Sequence, residues 1–426
     1  MTSPGNDRYL DRTRETRPWE DRLGDLDRKF QDTLDHVWRH SKAYQEIYRQ
    51  AGLAPGDVAG LADLARLPVV RMADLLDRQK AQPPFGGFET VPPDRIRRIY
   101  VNPGLIWQPG DWEYVDTSWA EGLCGAGFQK GDRVLNTFNY HLWPFAFMLD
   151  ESLRMIGATV VPTGAGNTLM QVKILQTLGI NAFMGTPSFL NTLVQRAEGL
   201  GLDPRTDLCL EKAMVGAEML PESLRARLEA KIGLTICQTY GTVFLGCLGY
   251  ECPHKTGLHV PDNLIIEIVD PHTGGPVTPG APGEIVATIF NRTHPLIRFA
   301  TGDLSLLRRD SCACGRTGPM LAKVLGRVDQ ATKVHSTFVH PWQTDGVVAR
   351  FPEVFKYMVV ITREEETDQM TFWIELREEV AESGQLAARI ERDIKEFLTV
   401  KGRVKVVPRG TIPDFHQKIE DRRSWE

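Results

Sequence analysis

The chain has no long apolar run, no large excess of one charge and little cysteine. Among its 426 residues no stretch approaches the roughly 20 apolar positions that a membrane span needs. The longest uncharged segment, around Val134–Leu149, is broken by Asn136, Asn139, His141 and Pro144. A formal net charge of −5 gives no global attraction for nucleic acid or an anionic membrane. Seven cysteines are too few and odd in number for a disulfide framework. The first thirty residues, with Asp7, Arg8, Asp11, Arg12, Arg14, Glu15 and Arg17, are too charged for the apolar core of a signal peptide. No repeat of 20–50 residues and no low-complexity tract is present. What remains is a globular protein, 42% hydrophobic and 25% charged, long enough for two or three domains. The expectation is a cytoplasmic protein with no nucleic-acid or membrane partner.

Residues 18–50 carry Trp19, Leu23, Leu26, Phe30, Leu34, Val37 and Trp38 at helical spacing, which predicts a helix. The middle of the chain alternates short apolar runs with amphipathic stretches. Strands are predicted at Arg133–Asn136, Ala158–Pro162, Ala182–Thr186, Lys212–Gly216 and Leu234–Gln238. Helices are predicted at Phe145–Ile156, Thr168–Leu178, Ser188–Leu200 and Glu222–Lys231. That rhythm points to an α/β fold with a mainly parallel sheet, whose ligands bind beyond the carboxyl ends of the strands. From about 255 to 328 the pattern changes to Leu264–Val269, Glu284–Phe290 and Leu296–Thr301 joined by Gly/Pro-rich turns, a smaller β subdomain. Residues 329–426 then read as a compact α+β domain. Its elements are Tyr357–Thr362, Thr371–Leu376, a helix near Leu386–Leu398 and Arg403–Val407.

Ordered segments over most of the chain resemble the adenylate-forming superfamily, and within it the phenylacetate–CoA ligase branch. They are Gly131-Asp-Arg-Val-Leu-Asn, Gly157-Ala-Thr-Val-Val-Pro, Gly166-Asn-Thr, Thr186-Pro-Ser, Gly216-Ala-Glu218, Tyr240-Gly241, Arg298-Phe-Ala-Thr-Gly-Asp303, Gly326-Arg-Val-Asp329 and Ile412-Pro-x-x-x-x-Lys418. The resemblance implies nucleotide contacts from Gly216, Ala217, Glu218, Tyr240, Gly241, Thr242, Asp303 and Arg327. It places adenine on the Tyr240 ring and the ribose hydroxyls on Asp303. Tyr140, Gly164, Gly166, Asn167 and Pro187 are the implied substrate contacts. Asp329 is the implied hinge of a small mobile C-terminal domain, and Lys418 the lysine that brings positive charge to the reacting carboxylate and phosphate. His141 is a second catalytic candidate, read either as a contact to the acyl carboxylate or as a core histidine.

Three departures from the family stand out. Its phosphate loop is rich in Ser, Thr and Gly and ends in Lys, so that N–H groups and hydroxyls wrap the β- and γ-phosphates. The corresponding Arg98-Ile-Tyr-Val-Asn-Pro-Gly-Leu-Ile-Trp-Gln-Pro-Gly110 has no Ser, Thr or Lys and two prolines that remove donors. After Tyr240-Gly241 the family carries a Glu for Mg²⁺, whereas this chain has Thr242-Val-Phe244 and no carboxylate before Glu251. The glycine that borders the family's pantetheine tunnel is replaced within His335-Ser336. The losses of ATP-handling features fall on the pyrophosphate and magnesium side, while the adenosine side is kept.

Cys252, His259, Cys312 and Cys314 form a candidate tetrahedral set for a structural zinc, with His254 as the rival histidine. The resemblance supports it, because some members of the branch hold zinc in an equivalent arrangement. Cys124, Cys209, Cys237 and Cys247 read as packed thiols. Phe138, Tyr140, His141, Trp143, Phe145, Phe147, Phe183 and Phe189 gather near strand ends, where some of them would line an aromatic acid pocket and the rest belong to the core. The leading reading is a carboxylate–CoA ligase-like enzyme acting on an aryl or related acyl group in specialised biosynthesis. It would use ATP or AMP and CoA, with Mg²⁺ in doubt, and a homodimer fits the branch. Two other readings stand beside it. One is an acyltransferase or condensing enzyme taking a pre-activated acyl-adenylate, acyl-CoA or carrier-protein-bound acyl group, with His141, His335 or Lys418 as base. The other is a non-catalytic binding or scaffold protein.

Overall fold

The computed structural model describes residues 8–102, 106–110, 116–328, 332–334, 337–339, 341–364, 367–378, 383–398, 400–414 and 417–423. Two helices, α1 (Trp19–His40) and α2 (Lys42–Gln50), occupy the segment predicted as one. Ser41 breaks the run: its backbone is extended, its hydroxyl donates to the Gly87 carbonyl at 2.8 Å, and its oxygen accepts the Tyr44 N–H that opens α2. Leu26, Phe30, Leu34 and Val37 bury the inner face of α1. Helix α3 (Met72–Ala81) precedes an antiparallel hairpin of β1 (Arg98–Asn102) and β2 (Ile106–Gly110), and α4 (Thr117–Gly125) follows it.

The predicted alternation then appears as β3 (Arg133–Asn136), α5 (Phe145–Met155), β4 (Thr159–Pro162), α6 (Thr168–Leu178), β5 (Ala182–Gly185), α7 (Pro187–Gly199), β6 (Lys212–Val215), α8 (Glu222–Ile232) and β7 (Thr235–Thr242). These strands pair in parallel in the order β4-β3-β5-β6-β7. The sheet continues antiparallel through β8 (Gly246–Tyr250) and β9 (Leu258–His259). A separate sheet holds β10 (Leu264–Val269), β11 (Gly283–Ile289) and β12 (Leu296–Ser305). Every residue of β11 is buried, because Ile285, Ala287 and Ile289 join the core under α1 while Val286 faces Val69 and Ala300. Strands β13 (Leu307–Arg308) and β14 (Met320–Leu321) complete the nine-stranded sheet next to β9. Arg298, in the middle of β12, is buried and bonds Glu267 and the carbonyls of Ala65, Leu67 and Gly274, so it ties the β sheet to the N-terminal region.

The chain divides into two compact units, one of Met1–Thr301 with Leu306–Lys323 and one of Gly302–Ser305 with Val324–Glu426. In the second, β15 (Gly326–Arg327) pairs with the end of β12, and β16 (Thr332–Val334) with β17 (Thr337–Val339). Helix α9 (Pro341–Val348) leads to a long hairpin of β18 (Val354–Glu364) and β19 (Thr367–Leu376). Helix α10 (Ser383–Leu398), β20 (Arg403–Val406) and β21 (Ile419–Asp421) finish a sheet of order β20-β19-β18-β21. The α10 residues Leu386, Ile390, Ile394 and Leu398 pack against Val359, Ile361, Phe372 and Ile374. Among the described residues no helix is long and apolar enough to cross a membrane.

Candidate functional site

The carboxyl ends of β3, β6 and β7 enclose a cavity of about 160 Å³. Trp119, Phe138, Trp143, Phe145, Ala217, Thr239, Gly241 and Val243 wall it, with Asn139 as the polar addition. Phe145 meets both Trp119 and Phe138 edge to face, at 5.0 and 4.6 Å between ring centres. Trp119 escaped the sequence reading. Trp119 lies in α4, whose residues Ser118–Gly125 are all buried and therefore show no amphipathic period. Gly241 has no room for a Cβ, which would stand 2.9 Å from the Trp119 ring and 2.4 Å from the Gly246 carbonyl. A larger cavity of about 650 Å³ opens at the opposite ends of the strands, beside Lys212, Thr235 and Cys314, away from the matched motifs.

Around the smaller cavity the loops are fixed by local bonds. Gly216 donates to the Gly185 carbonyl at 3.1 Å, and Ala217 takes a left-handed backbone at φ 64°. Glu218 is exposed and accepts from the Ser188 hydroxyl at 2.9 Å. Tyr240 is half-buried at a bulge between β7 and β8, and the Thr242 hydroxyl oxygen accepts the Leu245 N–H. The Gln171 amide, buried in α6, holds the carbonyls of Gly164 and Gly166 at 2.9 and 2.7 Å, while left-handed Asn167 starts the helix. Pro187 is the first residue of α7, which Thr186 caps. The Tyr140 hydroxyl lies between Asn136 at 2.8 Å and Asp150 at 3.0 Å, and burial followed by the Asp150 charge pushes it up. His141 is exposed, and its backbone N–H meets the Asn139 side chain.

The segment that the resemblance puts in the place of the phosphate loop is the β1–β2 hairpin. Its turn, residues 103–105, lies outside the described residues. Asn102 and Gln108 are buried; the Asn102 amide donates to Gln108 at 2.9 Å, and the Gln108 amide donates to the Val243 carbonyl at 2.9 Å. Gln79 of α3 both donates to the Trp107 carbonyl and accepts its N–H, at 2.7 and 2.9 Å. Between β2 and Phe244–Gly246 a space of about 70 Å³ remains, and its walls include Asp116 and Glu151 but, among the described residues, no Lys or Arg. Burial raises the Asp116 carboxyl. Glu251, the first carboxylate after Tyr240-Gly241, is committed elsewhere: it takes both Nη atoms of buried Arg225 at 2.7 and 2.9 Å and accepts the Gln238 N–H at 2.6 Å.

In the second unit Asp303 on β12 faces Arg327 on β15 across the ladder, with Oδ1 and Nη1 3.1 Å apart. Lys418 precedes β21; its carbonyl accepts the Val359 N–H at 2.8 Å, and its ammonium pairs with Asp345 of α9. The hinge candidate Asp329 and the pair His335-Ser336 lie outside the described residues.

Cys252, His259, Cys312 and Cys314 come together with their ligand atoms all within 4.8 Å of one another. Cys252 and Cys312 Sγ are 3.6 Å apart, and Cys314 Sγ is 3.4 Å from His259 Nε2. A tetrahedral zinc with Zn–S of about 2.3 Å has S···S edges of roughly 3.8 Å, so three thiols and one imidazole at this spacing fit such an ion. The hydrogen bond with Cys252, then that with His259, draws the Cys314 thiol down to about 2, the charged form a metal takes. His254 is exposed and outside the group. Cys124, Cys237 and Cys247 are buried, and burial lifts Cys237 to about 12, whereas Cys209 is exposed rather than packed because a turn with φ 55° carries it at the surface. An N-terminal strap is bonded to the segment that carries Cys314. Tyr9 Oη bonds the Cys314 carbonyl, and buried Glu15 pairs with buried Arg316 at 2.7 Å.

Comparison with known proteins agrees with these motifs. The model of the AMP-binding enzymes matches residues 117–288, and that of the AMP-binding enzyme C-terminal domain matches 336–423. The phenylacetate-coenzyme A ligase of Thermus thermophilus is 30% identical over 94% of this chain and 95% of its own length. That of Aromatoleum evansii is 28% identical over 92% and 93%. A crystal structure of 2-hydroxyisobutyryl-CoA ligase, in an open conformation with 2-HIB-AMP and CoA, superposes with a TM-score of 0.85. It has 24% identity and covers 99% of this chain and 96% of that one. A parallel sheet with its motifs at the strand ends, a matching C-terminal module and full-length relatives converge: the chain belongs to the AMP-binding, adenylate-forming enzymes, in their phenylacetate–coenzyme A ligase branch.

Proposed function

We propose that this protein is a carboxylate–CoA ligase-like enzyme for an aryl or related acid of specialised biosynthesis. The observation that carries it is the aromatic cavity of Trp119, Phe138, Trp143 and Phe145 beside Tyr240-Gly241, in a chain whose curated relatives are named phenylacetate-coenzyme A ligases. In this reading the acid's carboxylate attacks the α-phosphate of ATP, pyrophosphate leaves, and the thiol of CoA then displaces AMP. Tyr240 holds adenine, Asp303 the ribose, and Lys418 steadies the charge that builds on carboxylate and phosphate oxygens. His141, Tyr140 and the Gly164–Asn167 loop border the acyl group, and Asp329 is the hinge. The four cysteine-cluster residues hold a structural zinc, since four protein ligands leave no open position.

A second reading rests on the hairpin. Gln108 and Asn102 bond each other and Val243 where phosphate donors belong, and Asp116 and Glu151 face the neighbouring space. That favours acyl transfer from an already activated acyl-adenylate or thioester, with the adenosine side retained. Pyrophosphate exchange with ATP, Mg²⁺ and a panel of aryl acids separates the two. Incorporation of label, lost in Lys418→Ala, supports the ligase. Silence with every acid, together with AMP release from a synthetic aryl-adenylate on adding CoA, supports the transferase. Failure to bind AMP, aryl-adenylate or CoA overturns both.

A further inference from the structure

The ammonium of Lys418 is held by a group that no motif of the sequence points to. Its backbone is fixed first: the Lys418 carbonyl accepts the Val359 N–H, and β21 runs parallel to β18 from Val359↔Ile419 onward. From that anchor the side chain reaches the carboxylate of Asp345 on α9 and lies 5.6 Å from the centre of the Tyr357 ring. Asp345 is in turn oriented. Buried Tyr357, on the same face of β18 as Val359, donates its hydroxyl to Asp345 Oδ1 at 2.6 Å. The hydroxyl of fully buried Thr344 lies between the Tyr357 oxygen at 2.9 Å and the Pro341 carbonyl at 2.8 Å, so its one proton is shared between these two acceptors. The Tyr357 ring stacks on Phe372. Burial first, and the Asp345 charge second, push the Tyr357 phenol up, so it stays a donor across the working pH range. Three residues of α9 and β18 thus place one carboxylate under the ammonium.

We propose that Asp345 is a positioning residue for Lys418: oriented by Tyr357 and Thr344, its carboxylate docks the lysine ammonium on the C-terminal unit. An ammonium needed at an acyl phosphate must leave this pair, so Asp345 sets how readily Lys418 is released. The role in catalysis rests on the reading of Lys418 as the adenylation lysine; the pair itself does not. Both side chains are more than two-fifths exposed, so the pair is a weak latch rather than a structural clamp.

The test is trace labelling of the native full-length chain with N-hydroxysuccinimidyl acetate, read peptide by peptide by mass spectrometry, with Lys173 and Lys401 as exposed references. In Asp345→Asn the Lys418 rate, relative to the references, rises about two- to fivefold, the span of an exposed ion pair. Asp345→Glu returns it toward wild type, and Tyr357→Phe gives a smaller rise than Asp345→Asn. A structural defect would raise neighbouring lysines together and would not be corrected by Glu. An unchanged Lys418 ratio in both Asp345→Asn and Tyr357→Phe overturns the proposal, as does a rise that Asp345→Glu fails to correct. Pyrophosphate exchange supplies the separate arm, with a two- to fivefold faster rate at unchanged KM for the acid expected in Asp345→Asn. A raised labelling ratio with exchange silent in the wild type keeps the pair and removes the ligase reading; an unchanged ratio with active exchange does the reverse.

Discussion

The side-chain amide of Gln108 donates to the Val243 carbonyl across 2.9 Å, while its oxygen accepts from Asn102 at the same distance. Two segments that the resemblance assigns to phosphate and magnesium are here bonded to each other. ATP with Mg²⁺ is therefore expected to raise the melting temperature no more than AMP does, measured by differential scanning fluorimetry. A clearly larger shift with ATP would show that the triphosphate is gripped by another route. Removing the amide in Gln108→Ala leaves buried partners unpaired and is expected to cost about 1–3 kcal/mol in urea unfolding.

Metal analysis of the purified protein is expected to give about one equivalent of zinc, lost in Cys312→Ser. The strap gives a second readout. Tyr9 is bonded to the Cys314 carbonyl and Glu15 to Arg316, so stripping the metal is expected to speed hydrogen exchange in residues 9–17 ahead of the parallel sheet. Equal exchange with and without metal would separate strap from cluster.

Glu251 is expected to matter for stability and not for divalent ions. Glu251→Ala leaves the Arg225 guanidinium without its two-bond partner in the core, a loss of about 3–5 kcal/mol in denaturant unfolding. If the variant instead kept its stability and lost a Mg²⁺ response, the residue would be a metal ligand after all.

Acid sensitivity is expected to trace in part to His294. Burial alone lowers its imidazole from 6.5 to about 4, and Nε2 has no hydrogen-bond partner. The unfolded chain takes up the proton first as pH falls. The stability contribution is thus complete above pH 6.5 and is lost as pH falls through about 4, in total about 3 kcal/mol. Replacement by Phe, which matches the ring's edge contact with Phe88, is expected to flatten unfolding free energy between pH 6.5 and 4. An unchanged slope would place the acid response in other groups.

How far the sequence alone reaches depends on how local the cause is. The five parallel strands and the four longer helices between Arg133 and Thr242 were legible because short apolar runs alternate with amphipathic ones. Cys252, His259, Cys312 and Cys314 were legible as a group from their spacing, and His254, the rival, could be set aside only in three dimensions. The break at Ser41 was not legible, because its cause is the Gly87 carbonyl 46 residues away. Strand β9 is two residues long and has no period to read. Nothing in the local sequence gives Gln108 a role, and only contact with Val243, 135 residues on, gives it a task. Asp345 and Tyr357 sit in ordinary helix and strand sequence, and nothing local ties them to Lys418.

Strand β12 belongs to both compact units: Leu296–Thr301 to one and Gly302–Ser305 to the other. A chimaera joined at a single point near residue 324 would therefore carry Arg327 from one parent and its ladder partner Asp303 from the other. Exchanging C-terminal modules between relatives calls for two grafts, Gly302–Ser305 and Val324–Glu426, if the recipient is to keep that pair matched.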